Sequence, residues 1–187
     1  PYYQSQALHP TVTSPAGGGP DLTTAGLRPV DAIIALNAHP SRSRLSTEWL
    51  DPSIHDELRP FDRDPALDMF HPDNAPPYSS EFVARYRAAQ IARNRRIAAW
   101  CEQQLDWLAN SGEAPPGLED VAFTIHGTGA DLRFLDGTID PSDRTVGVTL
   151  HGTPQVANYL PAMISRYSSA RSFLNQWSID HTMADSL

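Results

Sequence analysis

Lysine is absent from this chain of 187 residues, and all fourteen of its basic residues are arginine. That absence excludes a Schiff-base lysine and the lysine of a phosphate-binding P-loop. Cys101 is the only cysteine, so the chain can form neither an internal disulfide nor a zinc site built from several cysteines. A chain without internal disulfides is compatible with the reducing cytoplasm, where we expect the protein to reside.

Long apolar runs and excess positive charge are also lacking. No run approaches the roughly 20 apolar residues of a membrane-spanning helix, and the N-terminus shows no basic-then-apolar leader. The net charge of −8 argues against a nucleic-acid binder held by phosphate contacts. The mean hydropathy of −0.39 indicates a soluble globular domain. We therefore expect neither a nucleic acid nor a membrane as a partner.

The segment Pro29–Pro40, PVDAIIALNAHP, contains the strongest strand pattern in the chain. In it, Val30 and the run Ala32–Leu36 have no polar face, which is typical of a strand covered on both sides in a parallel sheet. Asn37 and His39 follow at once, and ligands bind at the carboxyl ends of such strands. We predict that these two side chains bind substrate. The competing interpretation is an asparagine turn followed by a proline stop.

The segment Ser79–Asn110 predicts one long helix. Apolar residues recur in it at near-helical spacing, Glu81 lies in its first turn, and Gly112 follows its end. The arginines of this helix (85, 87, 93, 95 and 96) are expected to form a solvated basic face with local ion pairs, with an anion site as the alternative. Further predicted elements are a helix end at Tyr2–His9, a short helix near Leu45–Leu50, strands at Val121–His126 and Thr145–Leu150, and a final helix from Pro161.

A loop rich in acidic residues precedes the long helix and contains Asp62, Asp64, Asp68, His71 and Asp73. Its spacing does not match a calcium-binding EF-hand, whose sixth position is glycine. We expect turn-forming aspartates there and no metal or other cofactor. A metal-dependent hydrolase that uses this loop together with His39, His55 and His71 is an alternative.

The segment Thr124–Asp131, TIHGTGAD, resembles the strand-then-acid corner that carries the catalytic aspartate in many α/β hydrolases. Asp131 would then be the catalytic acid and His151 the general base, in the expected acid-before-histidine order. The competing interpretation is that Asp131 caps a turn and His151 ends a strand. The chain contains no Gly-x-Ser-x-Gly pentapeptide, and Cys101 is expected to be a buried structural thiol.

Several stretches together resemble a group of α/β-hydrolase-fold proteins: LNAHP, TEWLDPS, RDPALDMFHPDNAPPYSSEFVARYRAAQIARNRRI, ADLRFLD, DPSDR and ANYLP. The resemblance spans Tyr2–Asp185 and is most specific in PPYS-x-EFVARYRAAQ-x-ARN. It implies an α/β fold class, with part of a parallel hydrolase-type sheet and a long, mostly helical and irregular lid insertion. It also implies that the nucleophilic serine precedes YYQSQA and lies outside this chain.

The resemblance implies three regions. Residues 1–40 would hold a core helix end, a linker and a core strand. Residues 41–120 would form the lid with its helix 79–110, and residues 121–187 a second strand region with a C-terminal helix. That last region is either core, with Asp131 and His151 as triad members, or more lid. Because it is rich in turns and has no closing strand, we favour the lid assignment, under which this chain holds no triad residue.

The implied function is hydrolysis of an ester, amide or similar bond in a small-molecule substrate, through a serine, a histidine and an acid. The implied partner is the rest of the hydrolase core or a second copy of the chain. A non-catalytic binding or scaffold protein of the same fold is an alternative, because a fold does not entail a function.

Overall fold

The structure is a computed structural model that describes residues 2–14, 19–34, 41–139, 153–159 and 165–180. Its α-helices are α1 (Tyr2–Leu8), α2 (Arg42–Trp49), α3 (Ser80–Asn110), α4 (Pro154–Tyr159) and α5 (Ala170–Gln176), and its strands are β1 (Ala122–Ile125) and β2 (Arg166–Ser169). Short 3-10 helices lie at Pro65–Leu67, Pro72–Asn74 and Leu132–Phe134. None of the helices in these ranges is long and apolar enough to cross a bilayer.

The chain divides into two compact units. Unit 1 comprises Pro1–Leu45, Ile97–Ala122 and Ser169–Leu187, and unit 2 comprises Ser46–Arg96 and Phe123–Ser168. Helix α3 runs through both units, because the boundary falls within it. The division at residues 40 and 120 that the resemblance implies stays a prediction.

The expectation of a parallel α/β-hydrolase sheet is wrong. The sheet that the described residues form has two strands, β1 and β2, which pair in antiparallel fashion. The segment Val30–Ile34, which is predicted as part of a core strand, is not a strand. Its backbone has no regular secondary structure. Ile33 is 56% exposed and Ile34 is 85% exposed. The last two residues of that predicted strand, and the whole strand predicted at Thr145–Leu150, lie outside the described residues.

The physical reason is that an apolar run becomes a buried strand only where neighbouring strands bond to its backbone and cover its faces. Here the segment lies beside a helix instead. The Tyr3 hydroxyl donates to the Arg28 carbonyl oxygen at 3.0 Å, and the Val30 amide donates to Gln4 Oε1 at 2.9 Å. A side chain of α1 thus occupies the first amide of the segment, a group that a neighbouring strand would otherwise pair with.

Helix α3 is present as predicted, with its first residue at Ser80. Ser79 caps it, because its Oγ accepts a hydrogen bond from the Phe82 amide at 3.2 Å. Gly112 follows the helix with a φ of 74°, a conformation in which glycine ends helices readily. The buried residues keep helical spacing, with Phe82 and Tyr86 in unit 2 and Ile97 and Cys101 in unit 1.

The core of unit 2 packs against the first half of α3. Met69, Phe82, Tyr86, Ala130 and Leu132 form one buried cluster. The Tyr86 hydroxyl donates to the Ala130 carbonyl oxygen at 2.7 Å, so the polar end of this buried ring is satisfied. The cluster fixes the chain that follows β1 against α3, and that chain carries the candidate site.

In unit 1 the final helix begins later than predicted, at Ala170 rather than near Pro161. Residues that were expected to be helical, Arg166–Ser169, form β2 instead. Ser169 then caps α5, since its Oγ accepts from the Ser172 amide at 3.3 Å. The thiol of Cys101 is buried, as expected, and burial raises its pKa to about 12.

Candidate functional site

The residues that follow β1, His126–Asp131, form a tight connection that we call the HGTGAD turn. Gly127 has a φ of +57°, and a side chain there would meet Ile54 Cδ1 at 2.8 Å and Asp51 Cβ at 3.0 Å. The backbone is held at this glycine and three residues after it, because the Asp51 amide donates to the Gly127 carbonyl oxygen at 2.8 Å and the Ala130 amide to the Trp49 carbonyl oxygen at 3.0 Å. Glycine is therefore required for both conformation and space.

Asp131, the predicted catalytic acid, is 2% exposed and caps the 3-10 helix Leu132–Phe134. Its Oδ1 accepts from the backbone amide of Arg133 at 3.0 Å. The Nε of the Arg133 guanidinium lies 2.8 Å from Oδ1 and 2.9 Å from Oδ2, and its Nη2 also pairs with Oδ2. Arg87 Nη2 approaches Oδ1 at 3.9 Å. The bond to the Arg133 amide is the one that a turn-capping aspartate makes, and both carboxylate oxygens also have arginine partners.

The other predicted site residues, His151, Asn37 and His39, lie outside the described residues. Their catalytic and substrate-binding roles stay predictions.

His126, at the start of the HGTGAD turn, contacts a serine that is distant in sequence. Its Nδ1 lies 3.1 Å from Ser165 Oγ, across 39 residues of chain. Burial is the main cause that lowers the pKa of His126; Glu57 acts in the opposite direction, and the positive charge of Arg93 lowers the pKa further. The imidazole is therefore neutral at pH 7, the state in which it can accept a proton from a hydroxyl group.

Beneath the turn lies a buried network centred on Asp51, which is 1% exposed. Its Oδ1 accepts from the amide and the hydroxyl of Ser53 at 3.0 and 2.6 Å. Its Oδ2 pairs with Arg63 and accepts from Asn158 Nδ2 at 2.7 Å. The Asn158 carboxamide also accepts from the Gly129 amide at 3.1 Å, so it ties α4 to the HGTGAD turn.

The acidic loop before α3 uses its carboxylates within the fold. Asp64 caps the 3-10 helix at Pro65–Leu67, and Asp68 accepts from the Phe70 amide at 2.9 Å and from the Tyr159 hydroxyl. Within the part of the chain that the structure describes, no group of three His, Cys, Asp or Glu residues is arranged to hold a metal ion.

One arginine of α3 contradicts the expectation of a solvated basic face. Arg93 is 0% exposed, and it donates to the Asp51 carbonyl oxygen at 2.8 Å and to the His126 carbonyl oxygen at 2.7 Å. Its charge faces the carboxylate of Glu57 at 2.6 Å. The pattern of α3 gave no sign of this, because arginine is usually placed on the polar face of a helix.

Sequence reasoning also missed the pairing of His126 with Ser165 and the bridging role of Asn158. His126 lies in TIHGTGAD, which was singled out for its aspartate. No local pattern marks Ser165 or Asn158, because their partners are distant in sequence.

Comparisons with known protein families, with curated proteins and with solved structures find no match for this chain.

Proposed function

We propose that this chain is an accessory part of an enzyme that hydrolyses ester, amide or similar bonds of a small molecule, and that the attacking serine belongs to polypeptide outside these 187 residues. The reaction class rests on the sequence resemblance described above. The accessory role of this chain is argued from the geometry of Asp131.

The accessory role rests on the hydrogen-bond partners of Asp131. A catalytic acid must accept a hydrogen bond from the histidine that it orients. Among the described residues, both carboxylate oxygens of Asp131 accept from the Arg133 guanidinium, and Oδ1 also accepts from a backbone amide. Asp131 holds the turn after Ala130 in shape. The acid of the reaction, like the serine, would then come from elsewhere, and this chain would shape the substrate's surroundings.

A second candidate is favoured by the contact between Ser165 and His126. A neutral imidazole 3.1 Å from a serine hydroxyl is the minimal arrangement for nucleophilic catalysis. In this candidate Ser165 Oγ attacks the carbonyl carbon while His126 takes the hydroxyl proton, and that proton then passes to the leaving alcohol or amine. Water hydrolyses the acyl-serine intermediate and restores the hydroxyl. The chain would then be a hydrolase by itself.

A fluorophosphonate probe, followed by peptide mass spectrometry, separates the two candidates. The chain alone is expected to remain unlabelled, and it should hydrolyse p-nitrophenyl acetate no faster than its His126→Ala variant. Labelling that disappears in Ser165→Ala but persists in Ser14→Ala would overturn the accessory role and establish the second candidate. Ser14 is an exposed serine and serves as the matched control.

The reading frame upstream of Pro1 gives the positive test. A Gly-x-Ser-x-Gly sequence is expected there, and the extended protein should be labelled at that serine. A frame without such a serine, together with an unlabelled chain, would contradict the hydrolytic proposal and leave a binding protein.

A further inference from the structure

The two edges of the Arg93 guanidinium have different hydrogen-bond partners. Nη1 donates to the carbonyl oxygens of Asp51 at 2.8 Å and Gly127 at 3.4 Å, and Nη2 to that of His126 at 2.7 Å. Backbone that belongs to the fold therefore fixes one edge. The other edge, Nε and Nη2, faces the Glu57 carboxylate in a bidentate pair of 2.8 and 2.6 Å.

Glu57 comes from a surface loop, Ile54–Arg63, which we call the 54–63 loop. An antiparallel bridge between Ile54 and Arg63 closes its base. Its tip makes local contacts, such as Asp56 with Arg59 at 2.9 Å. Leu58 is 90% exposed and Phe61 is 71% exposed, so these apolar side chains do not anchor the loop. The carboxylate of Glu57 therefore attaches the tip of the loop to α3.

The two partners differ in their access to water. The side chain of Arg93 is 0% exposed, whereas that of Glu57 is 31% exposed. A buried guanidinium needs an anion, since leaving its charge unpaired is costly. That anion is supplied by the side chain that solvent can reach, on a loop that its own apolar residues do not hold down. Another carboxylate arriving from solvent could occupy the same position.

We propose that the Nε and Nη2 edge of Arg93 is a carboxylate-binding site, that Glu57 occupies it as an internal ligand, and that a small molecule bearing a carboxylate binds there when the 54–63 loop opens. The planar fork of arginine selects a carboxylate through two parallel hydrogen bonds. Its inner edge remains held by backbone carbonyl oxygens, so the site is preformed. The site needs no nucleophile and is independent of the hydrolytic proposal.

Chemical rescue of Glu57→Ala tests the site. The variant keeps Arg93 and removes its internal ligand, and sodium acetate supplies a carboxylate of matching shape. At saturating acetate, the ratio of folded to unfolded variant is expected to rise about tenfold over sodium chloride at equal ionic strength, because a charge-assisted bidentate pair is restored. Denaturant unfolding measures this ratio, and calorimetric titration with acetate measures binding directly.

Asp62→Ala is the matched control, because Asp62 is an acid of the same loop that faces Arg59 rather than Arg93. Acetate should stabilise this variant no more than chloride does. Equal responses of the two variants would overturn the proposal.

If Glu57→Ala does not fold, hydrogen exchange of the wild-type chain tests the proposal instead. If acetate competes with Glu57 for Arg93, the amides between His55 and Asp62 should exchange their hydrogens faster in acetate than in chloride. Unchanged exchange in this loop at high acetate would contradict the proposal.

Discussion

Two regions of this protein use side chains in opposite ways. Around the HGTGAD turn, charged groups are buried: Asp51 is 1% exposed, Arg93 0% and Asp131 2%. In the segment from Val30 to Ile34, apolar groups are exposed, Ile34 to 85%. Composition alone would assign the opposite burial to both regions.

The difference shows that a side chain is buried where the fold provides hydrogen-bonding, charged or packing partners for it. Each buried charge near the turn has an opposite charge and backbone groups within hydrogen-bond distance, which offsets the loss of water. The first amide of the apolar segment donates to the Gln4 side chain of α1, but Ile33 and Ile34 are exposed. Hydropathy gives the preference of a residue for burial, and the surrounding fold determines whether that preference is met.

Removing the Arg93 charge should have the largest effect. Arg93→Met removes the hydrogen bonds that Arg93 donates to the Glu57 carboxylate and to three backbone carbonyl oxygens, and we expect a loss of about 3–5 kcal/mol in the free energy of unfolding. Urea denaturation checks this value. The control is Arg59→Met, which breaks only the exposed ion pairs with Asp56 and Asp62 and should leave the midpoint unchanged. Equal losses in the two variants would show that the buried network does not carry the stability of this region.

Two isoleucines test the comparison directly. Ile54 is 0% exposed and Ile34 is 85% exposed, so the same truncation removes very different contacts. Ile54→Ala should cost about 2–5 kcal/mol through lost burial and a cavity, whereas Ile34→Ala should change stability by less than about 0.5 kcal/mol. Urea denaturation of both variants measures the contrast. A large loss in Ile34→Ala would mean that the segment is covered in solution, and would break the comparison.

Gly127→Ala tests the close packing of the turn. The added methyl group would meet Ile54 Cδ1 at 2.8 Å in a left-handed backbone, and we expect a cost of about 2–4 kcal/mol. Gly26→Ala is a matched control, because Gly26 has a φ of +64° and no atom within 4 Å of the added carbon. That variant should lose only the backbone contribution of about 1–2 kcal/mol. Thermal unfolding of the pair isolates the steric contribution.

The smallest effect concerns the protonation of His126. Its pKa is lowered in the folded state, so the unfolded chain binds more protons as the pH falls below its usual value of about 6.5. The stability that neutral His126 supports is thus complete above that pH and is lost as the pH decreases toward the lowered pKa.

Denaturation at pH 7.5 and pH 5.5 measures this dependence. The wild-type chain should lose more stability between the two values than His126→Gln does. A pH response of His126→Gln equal to that of wild type would contradict the assignment.

Local features of the fold were predictable. Helix α3 follows from the spacing of Phe82, Tyr86 and Ile97, and its ends follow from Ser79 and Gly112. Strand β1 lies within the predicted Val121–His126. These signals act within a few residues, so the sequence carries them directly.

The strand predicted from Val30 failed because its assignment assumed neighbours that the described fold does not place there. The beginning of α5 was mispredicted for a related reason, since Arg166–Ser169 pairs with a strand more than 40 residues earlier in the chain. The contact of His126 with Ser165 was not predicted for the same reason, because the two residues are 39 positions apart in the chain.

By itself, the sequence determined the absence of lysine chemistry and of disulfides, the long helix α3, and the residues able to form turns. The tertiary structure decided which charges are buried. It placed Arg93 between the Asp51 and His126 backbones, paired Asp131 with Arg133, and left Ile34 in water. The physical reason is that helix and cap preferences are properties of neighbouring residues, whereas the free energy of burying a charge or an apolar side chain depends on partners that only folding brings near.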